Sequence, residues 1–232
     1  DIENIEETIL SVLSQTYDNI EFIVIDGASN DGTVDVIKKY DKKIDYWISE
    51  KDGGIFDAMN KGIKLSKGDY INFMNSGDFF TSPDLVNEVA KNLDNQGVDL
   101  LYGNLNSNNG NYSKVKIKYN IQFTYQTICH QVIFANKKCF ENNMFDLKYR
   151  WMCDYKWLLN CFLRKAVKTK YIDKEICYVE PIPNALTKSD RLKKLYERGE
   201  IGHKYFFNFK KILFDINQLR LVTKFSYFWK YK

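Results

Sequence analysis

The order of short apolar runs and amphipathic segments constrains the fold of this 232-residue chain more than any other feature. Ile20–Ile25 is a nearly continuous β-branched run, which is typical of a buried parallel strand. Such runs alternate with segments whose apolar residues recur at helical spacing. In chain order we predict helix Ile5–Gln15, strand Ile20–Ile25, helix Thr33–Tyr40, strand Tyr46–Ser49, helix Ile55–Leu65, strand Tyr70–Met74 and helix Pro83–Leu93. This alternation predicts an α/β fold with a mostly parallel sheet flanked by helices.

Acidic residues or glycines follow three of these predicted strands. Asp26 ends the first strand. Asp52 precedes the glycine pair Gly53–Gly54 after the second strand, and the turn Asn75–Asp78 follows the third. Ligands of open α/β sheets bind at the carboxyl ends of the strands, and a helix that begins after glycines presents its amides to an anion. The sequence therefore predicts a site for a nucleoside diphosphate and its metal ion at this edge.

The second half of the sequence predicts fewer regular elements. Asn104–Asn111 is rich in asparagine and contains a glycine, which is typical of a loop. Beyond this loop we predict, in order, strand Gln131–Ala135, helix Asp154–Leu163 and strand Glu175–Glu180. No internal repeat is present.

The composition fits one cytoplasmic α/β domain. Hydrophobic residues make up 44% of the chain and aromatic residues 16%, which is ample for a core. The five cysteines are odd in number, scattered and never spaced as a CxxC pair, so we expect reduced thiols rather than disulfides or a zinc site. The sequence has no charged-then-apolar leader and no uninterrupted apolar run of about 18 residues. Neither export nor membrane spanning is predicted.

Positive charge is concentrated in the last segment, residues 201–232. The whole chain carries a net charge of +4, whereas this segment holds seven Lys or Arg against Asp215 alone, together with ten aromatic residues. One interpretation is a helical tail that lies on an anionic membrane at the inner face of the cell membrane. The alternative is a helical hairpin that caps the domain. Because the basic residues are not organised around a nucleic-acid-reading helix, no nucleic-acid partner is predicted.

Four groups of residues stand in a fixed order between Ser11 and Leu159. They are Ser11–Tyr17 with the run Asp-Gly-Ala-Ser-Asn-Asp-Gly-Thr from Asp26, the run Glu-Lys-Asp-Gly-Gly-Ile-Phe-Asp-Ala-Met-Asn-Lys-Gly-Ile from Glu50, Asn-Ser-Gly-Asp from Asn75, and Cys129–Gln131 with Met152–Leu159. As an ordered set they resemble glycosyltransferase family 2, the inverting, nucleotide-sugar-dependent enzymes of the GT-A fold. Any one of the four alone would be a weak signal.

The resemblance implies a GT-A-like domain at residues 1–200 and the helical tail at 201–232. Within the domain, residues 1–103 would form the nucleotide-sugar-binding half and residues 104–200 the acceptor half. Family members open with an apolar strand and a Thr-Tyr-Asn-like turn that would precede Asp1, so we expect this sequence to lack the first strand.

The resemblance also implies a reaction. It is the transfer of a sugar from a nucleotide sugar, with a UDP-sugar favoured, to a polysaccharide or lipid-linked glycan acceptor. A non-catalytic nucleotide-binding or sugar-binding remnant of the same fold is the alternative. A dinucleotide-dependent dehydrogenase is excluded because no GxGxxG pattern occurs in the chain.

Asp78 is the metal ligand that the resemblance implies. It aligns with the final acid of the family's metal motif, which here reads Asn75, Ser76, Gly77, Asp78. Mg²⁺ and Mn²⁺ keep several waters and bind substrate phosphates, so one protein carboxylate suffices. Asn75 and Gly77 would contact the substrate beside it. The alternative for Asp78 is an ordinary strand-end aspartate that caps a turn.

Asp26 ends its strand where the family recognises the nucleoside, although a strand-end cap is the alternative. Asp57, Asn60 and Lys61 lie at i, i+3 and i+4, so they share one helix face that would hold the ribose or donor sugar. An internal ion pair between Asp57 and Lys61 is the alternative for that face. The predicted donor site is completed by Asp52, Gly53 and Gly54.

Asp154 is the general base that the resemblance implies, because it matches the family's acid-aromatic pair at the start of a helix. A general base must reach the hydroxyl whose proton it takes. The alternative is an N-terminal aspartate favoured by the helix dipole. His130 and Gln131 of the Cys-His-Gln motif are predicted to contact the substrate, with a packed histidine as the alternative. Tyr155 would stack on a sugar or belong to the core.

Overall fold

The structure is a computed structural model, and it describes residues 1–93, 97–107, 128–163, 167–179 and 188–215. The chain forms two compact units, Asp1–Ala185 and Leu186–Lys232, which are described separately.

The first unit begins with helices that alternate with two parallel strands. The elements are α1 (Ile5–Leu13), β1 (Ile23–Asp26), α2 (Thr33–Lys39), a 3-10 turn (Asp41–Lys43), β2 (Tyr46–Ser49) and α3 (Ile55–Leu65). Strands β1 and β2 pair in parallel, with Asp26 opposite Ser49. The apolar stripe of α1 joins α2 in a buried cluster that includes Ile9 and Ile37. The predicted order of helices and strands in this region is confirmed.

Five further strands form a mixed sheet. They are β3 (Tyr70–Ile71), β4 (Phe79–Phe80), β5 (Leu100–Ser107), β6 (Ile133–Asn136) and β7 (Thr169–Val179). Their spatial order is β3, β6, β5, β7, β4, with parallel pairing between β5 and β7 and antiparallel pairing elsewhere in this sheet. Helices α4 (Leu85–Leu93) and α5 (Cys153–Leu163) belong to the same unit. The α/β class is confirmed, but the predicted mostly parallel sheet is mixed instead, since three of the five described strand pairings are antiparallel.

Two of these strands were not predicted from the sequence. Strand β5 includes Asn104, so the loop prediction for Asn104–Asn111 is wrong up to Ser107, and the remaining positions lie outside the described residues. Asparagine is tolerated here because the Asn104 side-chain amide donates to the Asp173 carboxylate at 3.0 Å. Strand β4 also escaped prediction, since two residues give too little periodicity to detect.

A 3-10 turn, His130–Val132, precedes β6. The predicted strand Gln131–Ala135 therefore begins two residues later, and the candidate residues His130 and Gln131 lie in a turn. All five cysteines are free thiols, and four of them are buried.

In the second unit, α6 runs over Lys188–Asp215, so the start of the predicted tail is helical. Residues 216–232 lie outside the described part of the chain. No helix in the described ranges is long and apolar enough to cross a membrane. The functional division of the chain at residues 103 and 200 stays a prediction.

Candidate active site

Asp26 is the last residue of β1, and its carboxylate is bound by residues that lie next to it in β2 and in the following loop. Its Oδ2 atom accepts hydrogen bonds from the Ser49 hydroxyl at 2.5 Å and from the Ser29 amide at 2.9 Å. Burial by itself would raise the pKa of Asp26, but the hydrogen bonds from Ser29 and Ser49 outweigh it and hold the pKa below the ordinary value of 3.8. Asp26 is therefore a buried, ionised carboxylate at the end of β1, and its predicted contact with a nucleoside stays a prediction.

The turn between β2 and α3, which we call the glycine turn (Lys51–Asp57), is held by its own carboxylates. The Gly53 amide donates to Asp57 Oδ2 at 2.9 Å, and the Gly54 amide donates to Asp52 Oδ1 at 2.8 Å. Gly54 has φ 109° and ψ −178°, a conformation that is open essentially to glycine alone. The amides of Gly53 and Gly54 are thus bound within the turn, and the predicted contact of this turn and the start of α3 with a diphosphate stays a prediction.

The helix face that was predicted to hold a sugar divides into two structural contacts. The Asn60 side chain is buried and makes two bonds with the Phe145 main chain, donating to the carbonyl at 2.9 Å and accepting from the amide at 3.0 Å. Lys61 Nζ pairs with Glu50 Oε1 at 2.7 Å, and not with Asp57 as the alternative interpretation had it. Glu50 also raises the pKa of Lys61. A sugar contact by these residues stays a prediction.

The turn Asn75–Asp78 is fixed by α1 as well as by its own bonds. Gly77 has φ 93°, which a residue with a side chain rarely adopts, and its amide donates to the Thr8 hydroxyl at 2.9 Å. The Thr8 hydroxyl in turn donates to the Asn75 carbonyl at 3.3 Å. The Asp78 carboxylate accepts from the Asn75 amide at 3.2 Å. This turn is therefore held by the Thr8 hydroxyl of α1 and by the Asp78 carboxylate within the turn.

Gln131 reaches the same carboxylate from the turn before β6. Its side-chain Nε2 atom donates to Asp78 Oδ2 at 2.9 Å, and its main-chain carbonyl accepts from the Asn72 side-chain amide at 2.9 Å. The remaining amide oxygen, Oε1, is buried and has no hydrogen-bond partner among the described residues. A buried oxygen without a partner costs free energy unless a ligand completes it.

A divalent cation fits this oxygen chemistry. Mg²⁺ and Mn²⁺ take carboxylate and amide oxygens and keep several waters, so the Asp78 carboxylate with Gln131 Oε1 is a suitable pair of donors. No group of three or more His, Cys, Asp or Glu residues suited to a metal occurs in the described ranges. Substrate phosphates would therefore have to supply further ligands.

His130 joins the turn Asn75–Asp78 to helix α5. Its Nε2 atom lies 3.2 Å from Asn75 Nδ2, and its Nδ1 atom lies 3.7 Å from Asp154 Oδ2. The ring meets Phe56 of α3 edge to face, with 6.2 Å between centroids. His130 is thus packed, as the alternative interpretation proposed, and it also contacts two predicted site residues.

Asp154 lies in the first turn of α5. Its Oδ1 atom accepts from the Tyr155 amide at 2.7 Å, which leaves Oδ2 on the side of His130. The Asp154 side chain is 16% exposed. Tyr155 is buried, so it belongs to the core rather than to a sugar platform.

The structure thus separates the predicted site residues into two neighbourhoods. Those that meet in one set of contacts, which we call the histidine network, are Asn75, Asp78, His130, Gln131 and Asp154, and Gly77 shapes their turn. The second neighbourhood contains Asp26 at the end of β1 and the glycine turn with Asp52, Gly53, Gly54 and Asp57. Lys61 pairs with Glu50, which directly precedes that turn. Phe56, which belongs to both the glycine turn and the first turn of α3, packs against the His130 ring.

Sequence reasoning missed Thr8, Ser49 and Asn72, which hold Gly77, Asp26 and Gln131 in place. One signal was available for Thr8. It lies at helical spacing on the apolar stripe of α1, where a buried hydroxyl needs a partner.

The alternating first part, the mixed sheet and the acids at strand ends define an α/β domain of the GT-A class. The chain belongs to glycosyl transferase family 2, whose family model matches residues 2–175. This family and the expected GT-A-like fold were predicted from the motifs, and both are confirmed.

Two curated relatives come from Mycobacterium tuberculosis. An uncharacterized glycosyltransferase of Mycobacterium tuberculosis is 41% identical over 105 residues, which cover 44% of this chain and 40% of the relative. A PGL/p-HBAD biosynthesis glycosyltransferase of the same species is 26% identical over 202 residues, covering 83% of this chain and 78% of the relative. The chain therefore spans less than half the length of the first of these relatives.

Two solved structures share the fold at low identity. Staphylococcus aureus TarS 1–349 in complex with UDP-GlcNAc has a TM-score of 0.66 and 18% identity, covering 78% of this chain and 56% of TarS. The mannosyltransferase PcManGT from Pyrobaculum calidifontis, in complex with GDP-Man and Mn²⁺, has a TM-score of 0.62 and 17% identity, covering 84% and 57%.

Proposed function

We propose that this chain is an inverting glycosyltransferase that moves a sugar from a nucleoside diphosphate to a hydroxyl of a glycan or lipid-linked acceptor. The observation that carries the proposal is the histidine network. It brings the expected metal-binding acid, Asp78, and the expected base, Asp154, into one connected set of polar contacts. Family membership and the GT-A fold support the same reaction.

Asp154 acts as the base in this proposal. Inversion requires the acceptor oxygen to attack the anomeric carbon from the face opposite the diphosphate. As the new carbon–oxygen bond forms, the hydroxyl proton passes to the Asp154 carboxylate. The bond to the diphosphate breaks, and its electron pair leaves with the diphosphate.

Asp78 and Gln131 hold the cation in this proposal. When bound, Mg²⁺ or Mn²⁺ supplies a Lewis acid that neutralises charge on the diphosphate. The Gln131 amide keeps Asp78 Oδ2 in place through a 2.9 Å bond, and the turn at Gly77 fixes the carboxylate against α1. The PcManGT complex with Mn²⁺ supports a divalent metal in this fold.

The donor lies in the proposal along the carboxyl ends of β1 and β2. Asp26 and the acids of the glycine turn are acceptors suited to base, ribose or sugar hydroxyls rather than to phosphate. A UDP-sugar is favoured, in line with the TarS complex, and the GDP-Man complex makes a GDP-sugar the comparison to test.

Thermal unfolding with a panel of UDP- and GDP-sugars, with Mn²⁺ or chelator, tests the donor and metal together. A ligand at about 100 times its dissociation constant should stabilise the chain by about 2.7 kcal/mol. We expect Asp78→Ala to remove the Mn²⁺-dependent part of this stabilisation. Asp35→Ala, which changes an exposed acid on α2, is the matched control. Equal Mn²⁺-dependent binding by Asp78→Ala would contradict the metal assignment, and donor binding without transfer to any acceptor would favour a non-catalytic remnant.

The proposal places the protein at the cytoplasmic face of the cell membrane through its basic tail. The same helix, α6, exposes Leu192, Leu195 and Tyr196 by 59%, 62% and 75% on one face just before the tail, with Lys193 and Lys194 between them, so a chain that ends at Gly202 keeps this face and loses only the tail. Apolar side chains flanked by lysines suit the surface of an anionic bilayer. The five free thiols suit a reducing compartment.

Sedimentation with anionic phosphatidylserine vesicles tests the tail. We expect the full chain to pellet and a chain ending at Gly202 to pellet less, because each basic residue near such a surface contributes about 1 kcal/mol. Neutral phosphatidylcholine vesicles and added salt are the controls, since both should release the full chain. Equal pelleting of both chains would leave the tail as a structural cap.

A further inference from the structure

His130 is the point where the turn Asn75–Asp78 and the first turn of α5 come together. Its two ring nitrogens face different partners, Nε2 toward the Asn75 side-chain amide and Nδ1 toward the Asp154 carboxylate. The His130 side chain is only 11% exposed, and Nδ1 has no hydrogen-bond partner within 3.5 Å among the described residues. These two neighbours are therefore the polar groups that decide which ring nitrogen of the neutral ring carries the proton.

The chemistry of the neighbours selects one tautomer of the neutral ring. The Asn75 Nδ2 group can only donate, so His130 Nε2 must accept and carry no proton. The remaining proton is then on Nδ1, where it faces a carboxylate oxygen. The opposite tautomer would set two donors against each other at Nε2 and a lone pair against Asp154 at Nδ1. Turning over the Asn75 amide does not remove the second conflict.

We propose that His130 is a positioning residue for Asp154, and that Asn75 sets the tautomer through which it acts. The Nδ1–H group of His130 holds Asp154 Oδ2, while the Tyr155 amide holds Oδ1. This inference rests on the proposed role of Asp154 as the base. It goes further, because it assigns a function to an amide at position 75, where the resemblance had implied only a substrate contact.

The 3.7 Å between Nδ1 and Oδ2 is longer than a hydrogen bond. Catalytic hydrogen bonds are often long without substrate and shorten in the complex. The groups that face the His130 ring are the Asp154 carboxylate from α5, the Asn75 amide and the Phe56 ring from α3, with Asp78 beyond Asn75. Asp154 is thus the one anion at ion-pair distance from this ring within the described residues.

The tautomer can be observed without donor or acceptor. The chain has two histidines, so ¹⁵N-histidine labelling of a His203→Gln variant leaves one ring to follow by NMR at neutral pH. We expect the neutral Nδ1–H form in this parent. Asn75→Leu removes the donor at similar size and should shift the population toward Nε2–H. Ser76→Ala, in the same turn, is the matched control and should leave the spectrum unchanged.

Two NMR results would overturn the proposal. One is an Nε2–H ring in the parent, and the other is an Nδ1–H population that Asn75→Leu leaves unchanged. Because these measurements need no turnover, their outcome is independent of the proposed glycosyltransferase activity.

Two substitutions at position 130 test the positioning role in transfer. An asparagine amide lies near the position of Nδ1, so His130→Asn keeps a donor for Asp154, whereas His130→Gln places its amide near Nε2. We expect His130→Gln to lower kcat by up to about 100-fold with little change in the KM for the donor, because misplacing a reacting group by about 1 Å has that effect. His130→Asn should recover most of this loss.

Equal kcat values for the two variants, whether low or unchanged, would contradict the positioning role. Circular dichroism of both variants separates misfolding from lost positioning. If Asp154→Asn transfers sugar as fast as the parent, the base assignment fails, whatever tautomer the ring has.

Discussion

The glycine turn and the histidine network both contain aspartates and a turn shaped by glycine, yet they leave their polar groups in opposite states. In the glycine turn, Asp52 and Asp57 accept from the amides of Gly54 and Gly53, and these bonds are exposed to solvent. In the histidine network, His130 Nδ1 and Gln131 Oε1 are buried and have no hydrogen-bond partner among the described residues. The carboxylates and amides of the glycine turn thus satisfy one another, whereas the histidine network leaves two buried polar atoms without a hydrogen bond among the described residues.

This difference indicates where a ligand contributes most. An unsatisfied buried polar group costs about 1–3 kcal/mol, and a ligand that pairs with Gln131 Oε1 would recover this free energy. The glycine turn has no such cost to recover. Its acids offer further lone pairs to a donor, but the turn folds without one.

The largest expected effect is that of Asp154→Asn on sugar transfer. Loss of a general base lowers the rate by about 100- to 10,000-fold and leaves ground-state binding nearly intact. Asn keeps the size of the side chain and can still accept from the Tyr155 amide. Steady-state kinetics with donor titrations measure both quantities. A rate within a few-fold of the parent would contradict the assignment of Asp154 as the base.

Gly54→Ala should give the next largest effect, on stability. A side chain at φ 109° and ψ −178° is strained, and such a conformation costs about 1–3 kcal/mol. Gly53→Ala is the matched control, because Gly53 has no positive φ and an added Cβ would lie 3.6 Å from Asp57 Oδ2, an ordinary contact. Urea denaturation compares the two variants. If both lose the same stability, the turn does not depend on the Gly54 conformation.

Asp26→Asn should have a smaller effect that depends on pH. Since the folded-state pKa of Asp26 is below 3.8, its ionised form stabilises the fold above pH 3.8, and this stabilisation is lost as pH falls through the folded-state pKa. We expect Asn to cost about 1.5 kcal/mol near neutral pH, where it removes charged hydrogen bonds. Urea denaturation from neutral to acidic pH should show the two proteins converging. If the difference in the free energy of unfolding persists in acid, the hydrogen bonds from Ser29 and Ser49 depend on the shape of the Asp26 side chain and not on its charge.

Periodicity predicted the elements well where burial alternates cleanly. Helix α3 was predicted with the bounds that the structure has, Ile55–Leu65, because its apolar stripe and the preceding glycines agree. Strand β5 was missed because Asn104 and Asn106 have the composition of a loop. Their amides are satisfied by Asp173 and Glu175, acids that follow them by 69 residues, and composition carries no record of such a distant partner.

For the site, the sequence predicted which residues lie at the ends of elements but not what they bond to. Asp78 and Gln131 were both candidates, yet their bond spans 53 positions and could not be inferred from spacing. Asn60 was expected on a sugar, and its amide is bound to the Phe145 main chain instead. Donors and acceptors can be read from residue types, whereas their pairing depends on the tertiary fold.

The bond between Thr8 and the Gly77 amide has a consequence for the order of folding. The glycine turn closes through contacts two and four residues apart, so a short peptide can form it early. The turn at Gly77 needs a helix 69 positions away, and its neighbours His130 and Asp154 arrive later still along the chain. A fragment that ends before α5 can therefore contain the glycine turn, whereas the histidine network also needs α5, which carries Asp154.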